Sequence, residues 1–230
     1  MLKVQNINKN YKEVKVLKDI SFSLNKGEVI TLIGESGAGK TTLLRTILGL
    51  EKCESGTIKI DDDFLLKNGI YSSEKEIKKI RKNLGFVFQG LNLFPHMTVL
   101  ENLIEAPTKV FKISKKESKD KAFKILKSLS IEDKIYSYPN NLSGGEKQRV
   151  AIGRALALNP KYLCFDEPTS ALDPKTTKDV SNIIKSLKEK NIGILIITHD
   201  IDFAKDVSTK IIEIKKGSIK KTGSPLDFFN

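Results

Sequence analysis

One octapeptide, Gly34-Glu35-Ser36-Gly37-Ala38-Gly39-Lys40-Thr41, constrains the fold of this chain more than any other segment. It matches the pattern G-x-x-x-x-G-K-[ST]. It follows the apolar run Val29–Ile33, which reads as a buried strand, and opens a helical pattern through Leu43, Leu44, Ile47 and Leu48. Glycines at this spacing let backbone N–H groups curl around phosphate oxygens, and the helix start adds the positive end of its dipole. Lys40 is placed to reach the β- and γ-phosphates, and the Thr41 hydroxyl to ligate Mg²⁺. The segment predicts a nucleoside triphosphate site between a buried strand and a helix, but not the use made of the nucleotide.

The rest of the chain supports an α/β fold. Gly85–Phe88, Tyr162–Phe165 and Ile194–Ile197 are short, apolar and rich in β-branched or aromatic residues, as core strands are. Val4–Leu24 and Lys210–Thr222 show strand-like pieces with turn residues, Lys216-Gly217 marking a hairpin. Antiparallel additions beside a parallel core are expected at both ends. Between Leu91 and Ser143 the pattern is helical: Ser114 and Glu117 fit a capping box, and Ala122, Ile125, Leu126 and Leu129 share one face.

Composition narrows the partners. Lys and Arg number 40 against 28 acidic residues, for a net charge of +12, which raises nucleic acid or an anionic membrane. Only Arg45, Arg81, Arg149 and Arg154 are arginine, however, and readers of polyanions favour the bidentate arginine fork. The excess is therefore expected to be a solvated lysine surface. Cys53 and Cys164 have neither disulfide nor metal spacing, and His96 and His199 lie far apart. Both cysteines are expected to be packing residues in a reduced, intracellular setting. The N-terminus lacks an apolar signal region, and Ile192–Ile197 falls far short of the ~20 residues that span a bilayer. The chain is expected to be soluble, with any membrane role exercised through a partner.

Two further segments carry chemistry. Tyr162-Leu163-Cys164-Phe165-Asp166-Glu167 is an apolar strand ending in two acids. Beside a phosphate loop, Asp166 is placed to hold Mg²⁺ and Glu167 to polarise the attacking water as general base. In Leu142-Ser143-Gly144-Gly145-Glu146, Ser143 and Glu146 fit a helix start, while the two glycines bare N–H groups for a second anion site. One chain needs only one such helix start per ATP. Two copies use both, if each caps the other's nucleotide.

Taken in order, these segments resemble the ATP-binding subunit of ABC transporters over essentially the whole chain. Gly34–Thr41 is similar to the family's Walker A motif, Leu142–Glu146 to its signature, Tyr162–Glu167 to Walker B, and Ser170–Asp173 to the D-loop that crosses the dimer interface. The resemblance implies a P-loop NTPase core with an antiparallel β subdomain and an α-helical subdomain. It implies a core of residues 1–90 and 155–230, with 91–154 helical and bearing the signature. ATP would be bound by Tyr11, stacking on adenine, by Val16 against the base, and by Gly34, Glu35, Ser36, Gly37, Ala38, Gly39, Lys40, Thr41 and Thr42. Thr41, Gln89 and Asp166 would hold Mg²⁺, and Glu167, His199 and Gln89 would act in hydrolysis. Ser143, Gly144, Gly145 and Glu146 would act on the second copy's nucleotide. Glu35 departs from the usual loop by placing an acid near phosphates, at small cost if it points outward.

The run Leu93–Asn102, with Glu105-Ala106-Pro107, resembles the polar amino-acid uptake branch of bacterial importers. His96 within it is expected at an interface or in packing. The implied partners are a second ATPase subunit, integral permease subunits and, indirectly, an extracytoplasmic solute-binding protein. The implied place is the cytoplasmic face of the membrane, without the regulatory extension of some sugar and methionine importers. Transport of another solute, export, and a soluble ABC-type ATPase acting on nucleic acid remain alternatives. Nucleic acid is not expected, because the coiled-coil insertion or fused second cassette of such proteins is absent. A nucleotide kinase would leave Leu142–Glu146 unexplained.

Overall fold

The computed structural model describes residues 1–170 and 172–229. Ala171, inside the D-loop-like segment, and the terminal Asn230 lie outside the described residues. In chain order the elements are β1 (Leu2–Tyr11), β2 (Val14–Leu24), β3 (Val29–Ile33), α1 (Lys40–Ile47), β4 (Ser55–Ile60), β5 (Asp63–Lys67), β6 (Ile70–Tyr71), α2 (Glu74–Arg81) and β7 (Leu84–Val87). There follow α3 (Val99–Glu105), α4 (Lys115–Ser128), α5 (Gly144–Leu156), β8 (Tyr162–Asp166), α6 (Pro174–Glu189), β9 (Gly193–Ile197), α7 (Ile201–Val207), β10 (Lys210–Lys215), β11 (Ser218–Gly223) and α8 (Pro225–Phe229).

Two sheets organise these elements. The larger has strand order β11-β10-β3-β9-β8-β7, and β10, β3, β9, β8 and β7 all run parallel. Every residue of β3, β8 and β9 is buried, as expected where both faces of a parallel sheet are covered. Alternation then assigns each residue a face. Ile30, Leu32, Cys164, Leu195 and Ile197 pack toward α1 and the second sheet. Val29, Leu163, Phe165, Ile194 and Ile196 pack toward Val99 and Leu103 of α3, Leu126 of α4, Val150 of α5 and Ile184 of α6. Fully burying an aliphatic side chain of this size stabilises the fold by about 1.5–3 kcal/mol.

The second sheet is antiparallel, with order β2-β1-β4-β5-β6. The expectation of antiparallel strands beside a parallel core holds at the N-terminus and needs amending at the C-terminus. The N-terminal strands belong to this separate sheet. At the C-terminus β10 is a parallel member of the core, and only β11 runs antiparallel at its edge. The reason is burial: Ile211, Ile212 and Ile214 are covered on both sides, a core pattern rather than that of a half-exposed hairpin. The Lys216-Gly217 turn stands as expected, with both residues at positive φ (48° and 81°).

Asp61, at the β4–β5 turn, ties the sheets together. Its carboxylate accepts from the Met1 ammonium at 2.7 Å, Lys161 Nζ at 2.7 Å and the Tyr162 hydroxyl at 2.8 Å. Tyr162 opens β8, so this cluster braces the strand that ends in Asp166. Helix starts follow local chemistry. Ser73–Glu76, Thr98–Glu101 and Ser143–Glu146 form reciprocal capping boxes. At α4 only half the expected box forms: Ser114 accepts from the Glu117 N–H, but the Glu117 carboxylate does not return the bond. Among the described residues, no helix is long and apolar enough to cross a membrane.

Candidate active site

Between β3 and α1 the chain turns through Gly34 (φ 146°), where an added Cβ would sit 2.1 Å from the Ile214 carbonyl oxygen. Only glycine fits there. Gly39 precedes α1 in a left-handed conformation (φ 101°) and offers no side chain to the first turn. The helix-start N–H groups are thus left without a side-chain cap, facing a cavity of about 430 Å³. Gly34 and Ser36 through Thr42 line that cavity. Lys40 lies back along it, donating to the carbonyls of Gly34 at 2.6 Å and Glu35 at 3.0 Å. Burial pulls its pKa below the usual lysine range, while the charges of Glu167 and Asp166 oppose that shift. A phosphate would replace the two carbonyls as its partners. The Glu35 side chain is exposed and outside the cavity lining, so the acid in the loop does not face the phosphate position.

The parallel strands deliver the remaining groups. Asp166, buried at the end of β8, accepts from the Thr41 hydroxyl at 3.3 Å. Burial raises its carboxyl pKa, the Thr41 bond acts against that rise, and the Glu167 charge adds to it. A hydroxyl and a carboxylate side by side are the hard oxygen donors that a small divalent cation requires. Among the described residues no group of three His, Cys, Asp or Glu side chains is arranged to hold a metal ion. Cation binding at Thr41 and Asp166 would therefore be completed by phosphate and water oxygens.

Glu167, next in the chain, takes a left-handed φ of 50°. That conformation costs a non-glycine residue about 1 kcal/mol and is held by its N–H bond to Ile197 O at 2.9 Å. The turn directs the carboxylate toward β9, whose Ile197 is in register with Asp166. Glu167 Oε2 lies 2.9 Å from His199 Nδ1. The same carboxylate oxygen accepts from the His199 backbone N–H at 3.4 Å. Both side chains line the cavity, as do Gln89 just after β7 and Val16 of β2.

The other expected residues lie elsewhere. Tyr11 is outside the cavity lining: its hydroxyl donates to Glu51 Oε1, and Lys9 Nζ sits 4.8 Å from its ring centroid. Ser143 and Gly144 are exposed at the start of α5 and likewise outside the cavity. Glu146 is engaged in the capping box of its own helix. Ile197 lines the cavity although no sequence motif singles it out; its position at the end of a core strand beside the phosphate loop is the available signal. His96 is exposed near Phe94, and both cysteines are buried.

Residues 17–170 match the family model described as ABC transporter, a span that holds the phosphate loop, Gln89, Ser143–Glu146, Asp166 and Glu167. The chain belongs to the ABC transporter family. Among its relatives, the arginine transport ATP-binding protein ArtM of Bacillus subtilis is 45% identical over 229 residues, spanning 100% of this chain and 93% of that protein. The glutamine transport ATP-binding protein GlnQ of Geobacillus stearothermophilus is 43% identical, with the same shares covered. An ABC cassette solved as a dimer in a post-hydrolysis state with ADP and Pi, MJ0796, superposes with a TM-score of 0.84 at 36% identity. The match covers 98% of this chain and 99% of that one.

Proposed function

We propose that this chain is the ATP-hydrolysing subunit of a bacterial ABC importer for polar amino acids, working as an ATP-sandwich dimer. The observation that carries the reading is a division of labour. One cavity gathers the phosphate loop, Gln89, Glu167 and His199, while the second phosphate-type helix start, at Ser143 and Gly144, lies exposed outside it. Two copies facing one another make use of both halves. The dimeric relative solved with ADP and Pi, and the arginine and glutamine transport names of the sequence relatives, support the dimer, the hydrolysis and the solute class.

In this reading the α1 N–H groups and Lys40 bind the β- and γ-phosphates. Mg²⁺, held by Thr41 and Asp166 with Gln89 adjacent, would supply charge neutralisation at the β- and γ-oxygens. Glu167 orients a water and accepts its proton. His199, whose backbone N–H donates to Glu167 Oε2 at 3.4 Å, would contact the γ-phosphate through its ring. Ser143, Gly144 and Gly145 of the second copy close over the same phosphate. That closure favours one conformation of the permease, because the γ-phosphate is bound more tightly in the closed dimer. Val16 abuts the base. Tyr11 would stack its ring on adenine. The dimer sits peripherally at the cytoplasmic face, fed by a solute-binding protein on the far side.

Uptake of labelled arginine, glutamine and glutamate in cells lacking this chain tests the assignment. Loss of uptake that returns with the native chain, but not with Lys40→Ala, is expected. Unchanged uptake of all three would remove the solute assignment, and absence of ATPase activity in the purified complex would remove the function.

A further inference from the structure

Three of the four arginines use their forks on backbone carbonyls of other segments. Arg81 grips Leu48 and Gly49, Arg149 grips Leu129 and pairs with Asp179, and Arg154 grips Leu91 and Asn92. The last of these lies where it bears on hydrolysis. Arg154, in the final turn of α5, donates through Nη1 to Asn92 O at 2.5 Å and through Nη2 to Leu91 O at 2.7 Å. Its guanidinium carbon stands 5.6 Å from the centroid of the Phe94 ring. Leu91 and Asn92 are consecutive left-handed residues, φ 58° and 49°, only two and three positions after Gln89. A leucine is disfavoured there, so the loop needs an external hold. Its far end has one already: buried Asn102 accepts from Phe94 N–H at 2.8 Å and donates to the carbonyls of Phe94 and Met97. At the Gln89 end the side-chain grip is Arg154.

We propose that Arg154 is a positioning residue for ATP hydrolysis, fixing the Gln89 loop to the helix that begins at Ser143. The segment that reaches the second copy's nucleotide and the segment that serves this copy's nucleotide then shift as one unit when the dimer closes. The proposal rests on the role given to Gln89 above. Lysine does not reproduce the fork, since its shorter reach and single nitrogen lack the planar pair of Nη groups that meet Asn92 O and Leu91 O separately beside the Phe94 ring.

The test compares Arg154→Lys, Gln89→Ala and the double variant as full-length protein. Steady-state hydrolysis is measured across ATP concentrations in excess Mg²⁺, with hydrogen exchange followed at residues 88–94. Arg154→Lys is expected to lower kcat by about tenfold or more, as small misplacements near reacting groups do. KM for ATP should stay within about twofold, and the Leu91 and Asn92 amides should exchange faster. The double variant should be no slower than Gln89→Ala alone, because one residue acts through the other. Native kcat in Arg154→Lys, unchanged loop exchange, or losses that multiply in the double variant would each overturn the proposal. Native turnover by Gln89→Ala would instead overturn the reading of Gln89 beneath it, whereas a slow Gln89→Ala beside a native Arg154→Lys defeats the proposal alone.

Discussion

Replacing Asp61 with asparagine separates the charge of the inter-sheet cluster from its shape. Burial by itself would raise the Asp61 carboxyl, but hydrogen bonds from Lys161, the N-terminal ammonium and Tyr162 hold it well below the usual carboxylate range. The asparagine side chain would keep an acceptor for the buried Tyr162 hydroxyl and lose only charge assistance there, worth about 1 kcal/mol. The ion pairs with Met1 and Lys161, each 45% exposed on the basic side, are worth about 0.5 kcal/mol apiece after solvent screening. The variant should therefore lose about 2 kcal/mol at pH 7, or about 4–8 °C in Tm for a chain of this size. The pH dependence has a fixed sign. A depressed carboxyl contributes stability that is fully present above its unfolded pKa, about 3.9, and is lost as pH falls toward its folded value. Urea titrations of both proteins from pH 7 down to pH 3 should show the gap constant above about pH 5 and narrowing below about pH 4. A gap that stays constant through pH 3, or no gap at pH 7, would refute the electrostatic account.

Glu167→Gln should still bind ATP and accumulate as an ATP-bound dimer, with turnover down by about 10²-fold or more; gel filtration with and without ATP, beside phosphate release, checks both halves. Gly34→Ala places a Cβ 2.1 Å from the Ile214 carbonyl at a φ of 146°, so binding of a fluorescent ATP analogue should be abolished even where circular dichroism shows a folded chain. Gly145→Ala brings a Cβ 2.8 Å from Thr176 Cγ2 and should reduce hydrolysis by forcing α5 from α6. Adding Thr176→Ser removes that methyl but keeps the hydroxyl that bonds Asp173, and should restore activity; failure of the rescue would show that the contact is not the cause.

What could be read from the sequence was local. The apolar run of β3, the glycine loop, the Ser143–Glu146 box and the Lys216-Gly217 turn are each written within a few residues, and each stands in the structure. Strand direction is not local. The Lys216-Gly217 turn marks the antiparallel β10–β11 pair, which forms, but nothing near it in the chain tells that β10 also lies parallel to β3. The β4–β6 meander went unread because Ser55–Tyr71 is short, turn-broken and partly polar, with its apolar residues completed by β1. In the site, the phosphate loop and the two strand-end acids were legible from the residues, whereas His199 came from the family resemblance; it lies beside Glu167 in the cavity lining. Tyr11, named by the resemblance, lies outside the cavity lining, with its hydroxyl donating to Glu51, forty positions away. The grip of Arg154 on Asn92 spans 62 positions and has no signature in the chain, since an arginine near a helix end reads equally well as a partner for the helix dipole.

The two buried cysteines have a practical consequence for observing the dimer. Cys164 is enclosed in β8 with its thiol pushed up to about 12 by burial, and burial likewise raises Cys53. With both thiols buried and shifted upward, little of either is in the thiolate form that alkylating probes attack at neutral pH. The native chain is thus a nearly silent background for thiol chemistry. A single cysteine introduced at an exposed site on the cross-facing surface would be the one fast-reacting sulfur, able to report by distance the approach of a second copy in a protein that keeps all of its own residues elsewhere.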